Sequence, residues 1–309
     1  MKLLLIDGSY YAYRSFHAIR GLTNSRGEPT NAIFGFAKTV RRMIKDLRPD
    51  LAAVCWDQGL PSRRTELQPE YKQHRSDMPP EMVPQIPFIR DLVPKLGLHG
   101  VALPDTEADD LMASYSCAAH SRGMEVILAT NDKDLLSLVE DDILVYSTAK
   151  ADLKSPEELF TLLDPAAISK KWGVAPPRIL DVLALSGDTS DNIAGIPGVG
   201  PKTATTLIQN AGTLDALLAD LNTVKNEKLR AKLTDGRAQI LQNREMVRLD
   251  TDLPLPVPLD DLVIAPRYDE LIEALEWCEF RSLLAEVRAE KKNVASGKPA
   301  ALQDDLFPF

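Results

Sequence analysis

Short apolar runs recur along the first half of the chain, and each ends in acidic residues. The runs and the segments that follow them are Lys2–Ile6 with Asp7, Leu51–Trp56 with Asp57, and Met124–Ala129 with Thr130–Asp134. A short continuous apolar run between polar segments predicts a strand buried on both faces. Because ligands of α/β sheets bind beyond the carboxyl ends of the strands, we expect these acids to line one crevice.

Helical patterns separate the predicted strands. Apolar residues from Ile33 to Leu47 recur at spacings of four and three, which predicts an amphipathic helix. Thr106 is the expected N-cap of a further helix, closed by Gly123, and Leu144–Tyr146 is the expected last strand. Strands that alternate with helices predict a mainly parallel α/β sheet.

From Ser155 onward the pattern is helical throughout. The predicted helices are Pro156–Leu163, Pro165–Trp172, Pro177–Leu185, Lys202–Asn210, Leu214–Leu221, Lys225–Leu233, Arg237–Arg248 and Tyr268–Arg288. The prolines of Pro254–Pro258 predict an extended connector, and Asn293–Pro299 loses periodicity, as flexible linkers do. We therefore expect an α/β core over residues 1–150, a helical region over 151–290 and a flexible tail over 291–309.

The composition of the 309-residue chain is that of a soluble globular protein, with 44% hydrophobic and 26% charged residues. The apolar start is too short for a signal peptide, and no stretch has the length of a membrane span. Cys55, Cys117 and Cys278 lie far apart, and the chain has four histidines and no C-x-x-C. This pattern argues against a disulfide framework and structural zinc, and predicts a reducing, cytoplasmic location.

A basic, proline-rich segment follows the second predicted strand. Between Asp57 and Leu103 the bases that outnumber the acids are Arg63, Arg64, Lys72, Arg75, Arg90 and Lys95. Tyr71, Lys72 and Arg75 are expected on adjoining faces of one short helix. A solvated basic helix is the alternative interpretation, but an insertion directly after a strand that ends in an acid favours an active-site lid.

The segment Ser186–Thr206 combines acids with a glycine-rich turn. Asp188 and Asp191 lie three residues apart, so one turn directs both at a cation. The run Gly195–Gly200 allows close backbone approach, and Pro201 suits the first turn of a helix. A glycine turn before a helix N-terminus is typical of phosphate-binding sites.

The candidate acids together indicate a metal centre. They are Asp7, Asp57, Glu107, Asp109, Asp110, Asp132, Asp134, Asp188 and Asp191. So many carboxylates at one sheet edge repel each other, and divalent cations relieve that repulsion. Hard oxygen donors favour Mg²⁺ or Mn²⁺, and two such ions about 4 Å apart promote phosphodiester hydrolysis. The net charge of −9 does not exclude a nucleic acid substrate, because these nine acids account for the whole excess.

The motifs resemble those of the 5′-nuclease (flap endonuclease) family, closest to the N-terminal 5′→3′ exonuclease domain of bacterial DNA polymerase I. They are L-L-L-I-D-G-S-Y-Y-A-Y-R at the start, W-D at Trp56–Asp57, P-E-Y-K-Q-H-R at Pro69–Arg75, T-E-A-D-D at Thr106–Asp110, T-N-D-K-D at Thr130–Asp134, and G-D-T-S-D-N-I-A-G-I-P-G-V-G-P-K-T-A from Gly187. The resemblance covers about residues 1–290. It implies a PIN-like 5′-nuclease fold, which is an α/β core with a mixed, mainly parallel sheet. It also implies a helical arch, over about 58–92, and a helical DNA-binding region with a helix–two-turn–helix, over about 180–210.

The resemblance also assigns residues to roles. Asp7, Asp57, Glu107, Asp109 and Asp110 match a first metal cluster, and the remaining four acids match a second. Lys72 and Arg75 match arch bases that steer the scissile phosphate, and Arg14 and Tyr71 match the residues that line that gateway. The expected DNA contacts are Arg64, Gly195, Ile196, Gly198, Val199, Gly200, Lys202 and Thr203, with a potassium ion on the hairpin carbonyls. Two departures from the family pattern are small: Ala194 replaces a usual proline, and Ser9–Tyr10 a common Ser-Ser.

The predicted activity is a structure-specific 5′→3′ exonuclease and 5′-flap endonuclease that trims flaps and RNA primers during replication and repair. The alternatives are a PIN-like metal-dependent ribonuclease and a non-catalytic DNA-junction scaffold. The long basic arch and the hairpin favour the first interpretation. Preference between flap and exonuclease cleavage does not follow from the sequence.

The tail carries a separate hypothesis. Gln303, Leu306 and Phe307 form a Gln-x-x-Leu-Phe sequence that resembles the peptide by which bacterial replication proteins hold the sliding clamp. An unstructured tether would raise the local concentration of the nuclease at junctions. We therefore expect a stand-alone, monomeric nuclease that binds the clamp through this tail.

Overall fold

The computed structural model describes residues 1–74, 76–153, 155 and 158–296. Its strands are β1 (Lys2–Asp7), β2 (Leu51–Cys55), β3 (His99–Val101), β4 (Glu125–Ala129), β5 (Ile143–Ser147), β6 (Thr161–Leu163), β7 (Gly187–Asp188) and β8 (Ile193–Ala194). Its α-helices are α1 (Gly8–Ala18), α2 (Asn31–Leu47), α3 (Ser62–Leu67), α4 (Gln85–Lys95), α5 (Ala108–His120), α6 (Pro165–Trp172), α7 (Ile179–Ser186), α8 (Pro201–Ala211), α9 (Leu214–Ala219), α10 (Glu227–Asp235), α11 (Arg237–Val247), α12 (Tyr268–Trp277) and α13 (Arg281–Ala295). None of these helices is long and apolar enough to cross a bilayer.

Two compact units divide the chain, and they are interleaved in sequence. The first comprises Met1–Trp56, Met78–Val101 and the described residues from Val257 onward, and the second comprises Asp57–Asp77 and Ala102–Pro256. The boundary expected near residue 150 stays a prediction.

In the first unit, β1, β2 and β3 are parallel, with Leu3 opposite Leu51 and Ala53 opposite His99. The interior of β1 is fully buried, as its unbroken apolar run predicts. Helix α2 buries Ile33, Ala37 and Val40 from the predicted stripe.

In the second unit, β4 and β5 are parallel, with Val126 opposite Ile143. Strand β6 is antiparallel to β5, with Val145 opposite Leu163, so the strand pairings are mixed and mainly parallel, as predicted. A separate two-stranded ladder pairs Gly187 with Ala194. Helices α6 to α11 follow β6.

The helix predicted over Pro156–Leu163 is wrong at its carboxyl end, because Thr161–Leu163 forms β6. Leu144–Tyr146 lies in β5, as a strand was predicted there, but β5 is not the last strand because β6 follows it. The pattern gave no warning, because three residues are too few to show either the two-residue period of a strand or the 3.6-residue period of a helix. Asp164 then separates strand from helix: its side chain accepts a hydrogen bond from Ala167 N at 2.7 Å and caps α6.

The helix predicted over Tyr268–Arg288 is two helices, α12 and α13. The chain turns at Glu279, whose φ of +62° lies in the left-handed region. The Glu279 carboxylate accepts a hydrogen bond from Ser25 N at 3.0 Å, so a tertiary contact fixes this turn. Helix α13 also continues to Ala295, past the predicted start of the linker at Asn293. The tail residues Gln303, Leu306 and Phe307 lie outside the described residues.

Candidate functional site

The first group of acids lies at the N-terminus of α5. Glu107 occupies the N-cap position, with Asp109 and Asp110 in the first turn, so the expected N-cap, Thr106, is one residue early. Asp57 Oδ1 accepts a hydrogen bond from Ala108 N at 2.9 Å and thereby satisfies the first free N–H of the helix. The positive end of the helix dipole favours carboxylates here.

Arg64, on α3, is the counter-ion of this group. Its guanidinium donates to Asp110 Oδ2 at 2.8 Å and to Asp110 Oδ1 at 2.9 Å, and it also contacts Glu107. Nε donates to the Met246 carbonyl at 3.0 Å, and Nη2 to the Arg248 carbonyl at 3.1 Å. The side chain is only 1% exposed. The prediction that Arg64 contacts DNA does not fit this conformation, because the guanidinium has no exposed surface for a phosphate.

Asp110 is also engaged on both oxygens. Besides Arg64, Asp110 Oδ1 accepts a hydrogen bond from Asp250 N at 2.9 Å. One oxygen each of Glu107, Asp109 and Asp110 lies within 4.8 Å of the others, as a metal site requires. Both oxygens of Asp110 are engaged by Arg64 or Asp250, and its expected role as a metal ligand stays a prediction.

The second group of acids follows β4 and flanks β7. Asp132 Oδ1 accepts from Asp134 N at 2.9 Å, and Asp188 Oδ1 accepts from Ser190 N at 2.9 Å. Lys133 Nζ lies 2.6 Å from Asp188 Oδ2 and orients that carboxylate. The sequence motif contains Lys133, but we assigned it no role, because nothing in the local pattern places it beside Asp188.

The acids of these two groups lie close enough to influence one another. Burial raises the pKa of Asp134 well above its ordinary value, and the charges of Asp132, Asp109, Asp191 and Asp188 raise it further. The pKa of Asp109 is also raised well above its ordinary value, by burial first and then by Asp110 and Glu107. Acids from α5, from the end of β4 and from the β7 region therefore converge within the second unit.

The pKa of Asp188 is shifted in the opposite direction, below its ordinary value. Burial alone would raise its pKa, but hydrogen bonds from Lys133 and Ser190 outweigh burial and lower it. This carboxylate is therefore held as an anion while its neighbours tend to retain protons.

The donor set fits a hard divalent cation. Asp134 Oδ1 is buried and has no hydrogen-bond partner among the described residues. Burying a carboxylate oxygen that has no proton donor costs free energy unless a cation binds that oxygen. Carboxylates are the only potential metal ligands predicted here, and all-oxygen donors suit Mg²⁺, Mn²⁺ or Ca²⁺ rather than a thiophilic metal.

Without divalent metal, the chain is expected to lose stability as the pH rises above the ordinary aspartate value of about 4. The folded-state pKa values of Asp109 and Asp134 are raised, so the folded state holds protons that the unfolded chain has released. Their contribution is present at low pH and is lost as the pH passes through the raised values. Thermal unfolding in EDTA from about pH 5 to about pH 8 measures this slope.

Two controls test the cause of that slope. Mg²⁺ should flatten it, because the cation replaces the protons, and the double variant Asp109→Asn, Asp134→Asn should flatten it without metal. A Tm that rises with pH in EDTA contradicts the assignment.

Tyr71 and Lys72 contact acids of both groups. Tyr71 Oη lies 3.1 Å from Glu107 Oε2 and 3.1 Å from Asp191 Oδ2. Lys72 Nζ contacts Glu107 and lies 3.6 Å from Asp191 Oδ2. Burial, followed by the charges of Glu107 and Asp191, raises the pKa of Tyr71, so its hydroxyl stays protonated and donates.

The expected helix through Tyr71 and Lys72 is wrong. Lys72 has a φ of +56°, and its N–H donates to the Asp191 carbonyl at 3.2 Å. Gln68 Nε2 donates to the Asn192 carbonyl at 2.6 Å, and Asn192 Nδ2 returns a bond to the Glu70 carbonyl at 2.8 Å. These long-range bonds replace the helical pattern. Arg75 lies outside the described residues.

Two further predicted site residues, Asp7 and Arg14, belong to the first unit. Asp7 ends β1, and its Oδ1 accepts from Tyr10 N at 2.9 Å, which caps α1. Arg14 is exposed on α1, with its guanidinium 5.8 Å from the centre of the Tyr11 ring. Their expected roles stay predictions.

The glycine-rich turn contains two kinds of position. A Cβ at Gly195 would lie 2.0 Å from the Ser186 carbonyl oxygen, so this glycine permits a backbone contact within the protein. Gly198 has a φ of +84°, and a Cβ there would lie 2.8 Å from Lys232 Nζ. At Gly200 a Cβ would meet nothing within 4 Å.

Ile196 and Val199 are buried, and their N–H groups are engaged within the protein. Ile196 N donates to the Leu185 carbonyl at 3.0 Å and Val199 N to the Ile196 carbonyl at 2.8 Å. The expectation that these N–H groups bind phosphate therefore does not fit the structure. The first-turn N–H groups of α8, those of Lys202 and Thr203, have no partner within the helix ladder and remain suitable.

An α/β chain with convergent carboxylates of this kind has the site of a metal-dependent nuclease. Residues 2–173 match the family described as 5′-3′ exonuclease, N-terminal resolvase-like domain, and residues 174–270 match 5′-3′ exonuclease, C-terminal SAM fold. The chain belongs to the 5′–3′ exonuclease family, and the resemblance inferred from its motifs is confirmed.

Curated relatives agree. A 5′-3′ exonuclease of Aquifex aeolicus is 36% identical over 92% of this chain and 94% of its own length. The thermostable DNA polymerase I of Thermus thermophilus is 39% identical over 92% of this chain, and DNA polymerase I of Bacillus subtilis is 37% identical over 84%. The chain spans 33% and 29% of the lengths of these two polymerases.

Solved structures confirm the fold. The bacteriophage T5 flap endonuclease, solved with DNA and metal ions, has a TM-score of 0.65 at 19% identity, over 96% of this chain and 100% of that one. The catalytic core of Rad2 with DNA substrate has a TM-score of 0.57 at 17% identity, over 90% and 87% of the two chains. The predicted PIN-like 5′-nuclease fold is therefore correct, and the region matched from residue 174 has a SAM fold.

Proposed function

We propose that this chain is a structure-specific 5′ nuclease that hydrolyses DNA phosphodiesters at 5′ ends and 5′ flaps, RNA primers included. The convergence of Asp109, Asp132, Asp134 and Asp188 carries the proposal, together with Asp134 Oδ1, for which the described residues offer no hydrogen-bond partner. Family membership and the DNA complexes of the T5 and Rad2 neighbours support it.

We assign the cation-binding role to two sets of residues. Glu107, Asp109 and Asp57 form the first set, and the expected role of Asp7 stays a prediction. Asp132, Asp134, Asp188 and Asp191 form the second. Mg²⁺ or Mn²⁺, when bound, supplies a Lewis acid that activates water and stabilises the leaving oxygen. We also assign Asp110 the task of holding Arg64, which in turn orients Glu107.

Lys72 and Tyr71 act on the substrate side of these acids. An ammonium so close to Glu107 and Asp191 is placed to bind a non-bridging phosphate oxygen. Tyr71 Oη lies 3.1 Å from an oxygen of each of these two carboxylates, and it donates its single proton to one of them at a time. The low exposure of Lys72, 9%, strengthens its electrostatic effect because little water screens it. Arg75 is the second proposed phosphate-binding base.

The direct test uses end-labelled 5′-flap, nicked and single-stranded DNA with the full chain. Cleavage of the flap in Mg²⁺ and none in EDTA is the expected result. Preferential cleavage of unstructured RNA would favour the ribonuclease, and tight flap binding without cleavage would favour the scaffold.

Lys72→Ala is expected to lower the single-turnover rate by about 100- to 1,000-fold in saturating Mg²⁺, the usual effect of removing one preorganised charge donor. Lys72→Arg serves as the matched control, because it keeps the charge and should recover part of the rate. The comparison of rate with Tm decides the role. A Tm loss that accounts for the whole rate loss would make Lys72 a structural residue.

We propose that the turn before α8 contacts the DNA duplex. Main-chain groups of the turn would bind the phosphates of the DNA and not its bases. Gly198→Val is expected to weaken flap-DNA binding, because a side chain there obstructs the approach of a phosphate. Gly212→Val is the matched control: its φ is +83°, and a Cβ there would meet nothing within 4 Å. Both variants place a valine at a positive φ and therefore introduce the same kind of backbone strain. Only Gly198 lies in the proposed DNA contact, so only Gly198→Val should alter the DNA Kd.

The salt dependence of wild-type binding checks the same proposal. Contacts to phosphates give a log–log slope of about −0.9 per neutralised phosphate, without base preference. A flat salt dependence, or equal binding losses in the two glycine variants, contradicts a backbone contact at this turn. A potassium ion on the turn carbonyls, clamp binding through Gln303, Leu306 and Phe307, and a monomeric state remain predictions.

A further inference from the structure

A second cluster of metal-type side chains lies at the other end of α5. His120 is the last residue of the helix, and Glu140 and Asp142 belong to the turn that precedes β5. His120 Nδ1 lies 3.0 Å from Asp142 Oδ1, and His120 Nε2 lies 3.5 Å from Glu140 Oε2. One donor atom from each residue lies within 4.8 Å of the others.

This cluster is separate from the proposed nuclease site. Helix α5 has 13 residues, so at 1.5 Å per residue its two ends are about 20 Å apart. The catalytic acids lie at its N-terminus, and His120 lies at its C-terminus. Strands β4 and β5 are parallel neighbours. Asp142 precedes β5, whereas Asp132 and Asp134 follow β4, so the two groups lie at opposite ends of the strands.

The donor chemistry differs as well. An imidazole with two carboxylates suits a borderline metal such as Zn²⁺, whereas carboxylates alone suit Mg²⁺. Cys117 lies one turn before His120, but its Sγ is not among the donor atoms that lie within 4.8 Å of one another. We therefore assign the cluster nitrogen and oxygen donors without a thiolate.

We propose that His120, Glu140 and Asp142 form a binding site for a divalent transition-metal ion of the zinc class. All three side chains are partly exposed, at 41%, 58% and 41%, so an ion can enter from solvent and water can complete its coordination. The ion would join the end of α5 to the turn before β5. The absence of a C-x-x-C, which argued against structural zinc, does not bear on such a site, because tertiary structure supplies its ligands.

Equilibrium dialysis against Zn²⁺ in a large excess of Mg²⁺ tests the proposal, because Mg²⁺ competes for the carboxylate-only site. The wild-type full chain is expected to retain one more zinc ion than His120→Ala, and Asp142→Asn should show the same loss. His17→Ala, which removes an exposed histidine elsewhere, and Asp134→Asn, which alters the nuclease site, should keep that ion.

Two further readouts separate binding from misfolding. Zn²⁺ should raise the Tm of the wild type and not that of His120→Ala. The Mg²⁺-dependent nuclease activity of His120→Ala should equal that of the wild type. Equal zinc content in the wild type, His120→Ala and Asp142→Asn overturns the site, and so does an equal loss in His17→Ala. A thiolate-to-cobalt absorption band after Co²⁺ substitution overturns the proposed donor set.

Discussion

Asp134→Ala and Asp188→Ala are each expected to abolish 5′-flap cleavage in Mg²⁺, a loss of more than about 1,000-fold in turnover. Asp134 carries a buried oxygen without a hydrogen-bond partner in the described part of the chain, and Asp188 is held as an anion by Lys133 and Ser190. Removing either carboxylate takes away a cation ligand that no neighbouring group replaces. Single-turnover cleavage of a labelled flap measures the loss.

DNA affinity should behave differently from the rate in these variants. Fewer negative charges then face the phosphates, so the Kd for flap DNA should stay the same or decrease. Glu227→Ala is the matched control, because its carboxylate is 88% exposed on α10 and touches none of the clustered acids. Near-wild-type cleavage by either Asp variant would refute the proposed catalytic centre.

Arg64→Ala is expected to lower the free energy of unfolding by about 3–5 kcal/mol, the usual cost of removing one partner of a buried ion pair. The variant would leave Asp110 and Glu107 without their shared cation, and it would free the Met246 and Arg248 carbonyls. Urea unfolding measures the loss. Arg64→Lys should recover little of it, because an ammonium cannot form the paired bonds to Asp110.

Arg63→Ala provides the matched control for this prediction. Arg63 also donates to the Glu245 and Arg248 carbonyls, but it is 22% exposed and its ion pair with Asp250 is long, at 3.4 Å, so its loss should cost less than that of the buried Arg64. The Arg64→Ala deficit should also be smaller at about pH 5 than at about pH 8. Without its counter-ion, Asp110 binds a proton more tightly in the folded state, so stability falls as the pH rises. Equal deficits in the two arginine variants would contradict a special contribution of the buried Arg64 ion pairs to stability.

Strands β1, β2 and β4 were predictable because each contains a short, continuous apolar run. A run such as Lys2–Ile6 has no polar residue to expose, so burial on both faces is the main option, and β1 extends over Lys2–Asp7. The same reasoning located the acids, because an acid directly after a buried strand lies at the edge of the sheet. Asp134 emerged as a candidate in this way, and Asp188 emerged from its spacing to Asp191 beside the glycine-rich turn, in both cases without any knowledge of their partners.

The partners themselves depend on contacts that sequence spacing does not encode. Arg64 and Met246 are 182 residues apart, and Lys72 and Asp191 are held together by bonds that replace a helix with a turn. A basic residue in a proline-rich segment reads as a solvated charge until its neighbours are known. For the same reason Arg64 was assigned to DNA and Lys133 was overlooked.

The close approach at Gly195 affects how mutational libraries of this chain are interpreted. Any side chain at that position would collide with the Ser186 carbonyl, so all substitutions should fail alike, whatever their charge or size. Intolerance at Gly195 therefore reports on backbone fit and carries no information about the nucleic acid. Gly200, with open space around it, is the informative position. A graded series of side-chain sizes there maps how near the bound duplex comes to the chain.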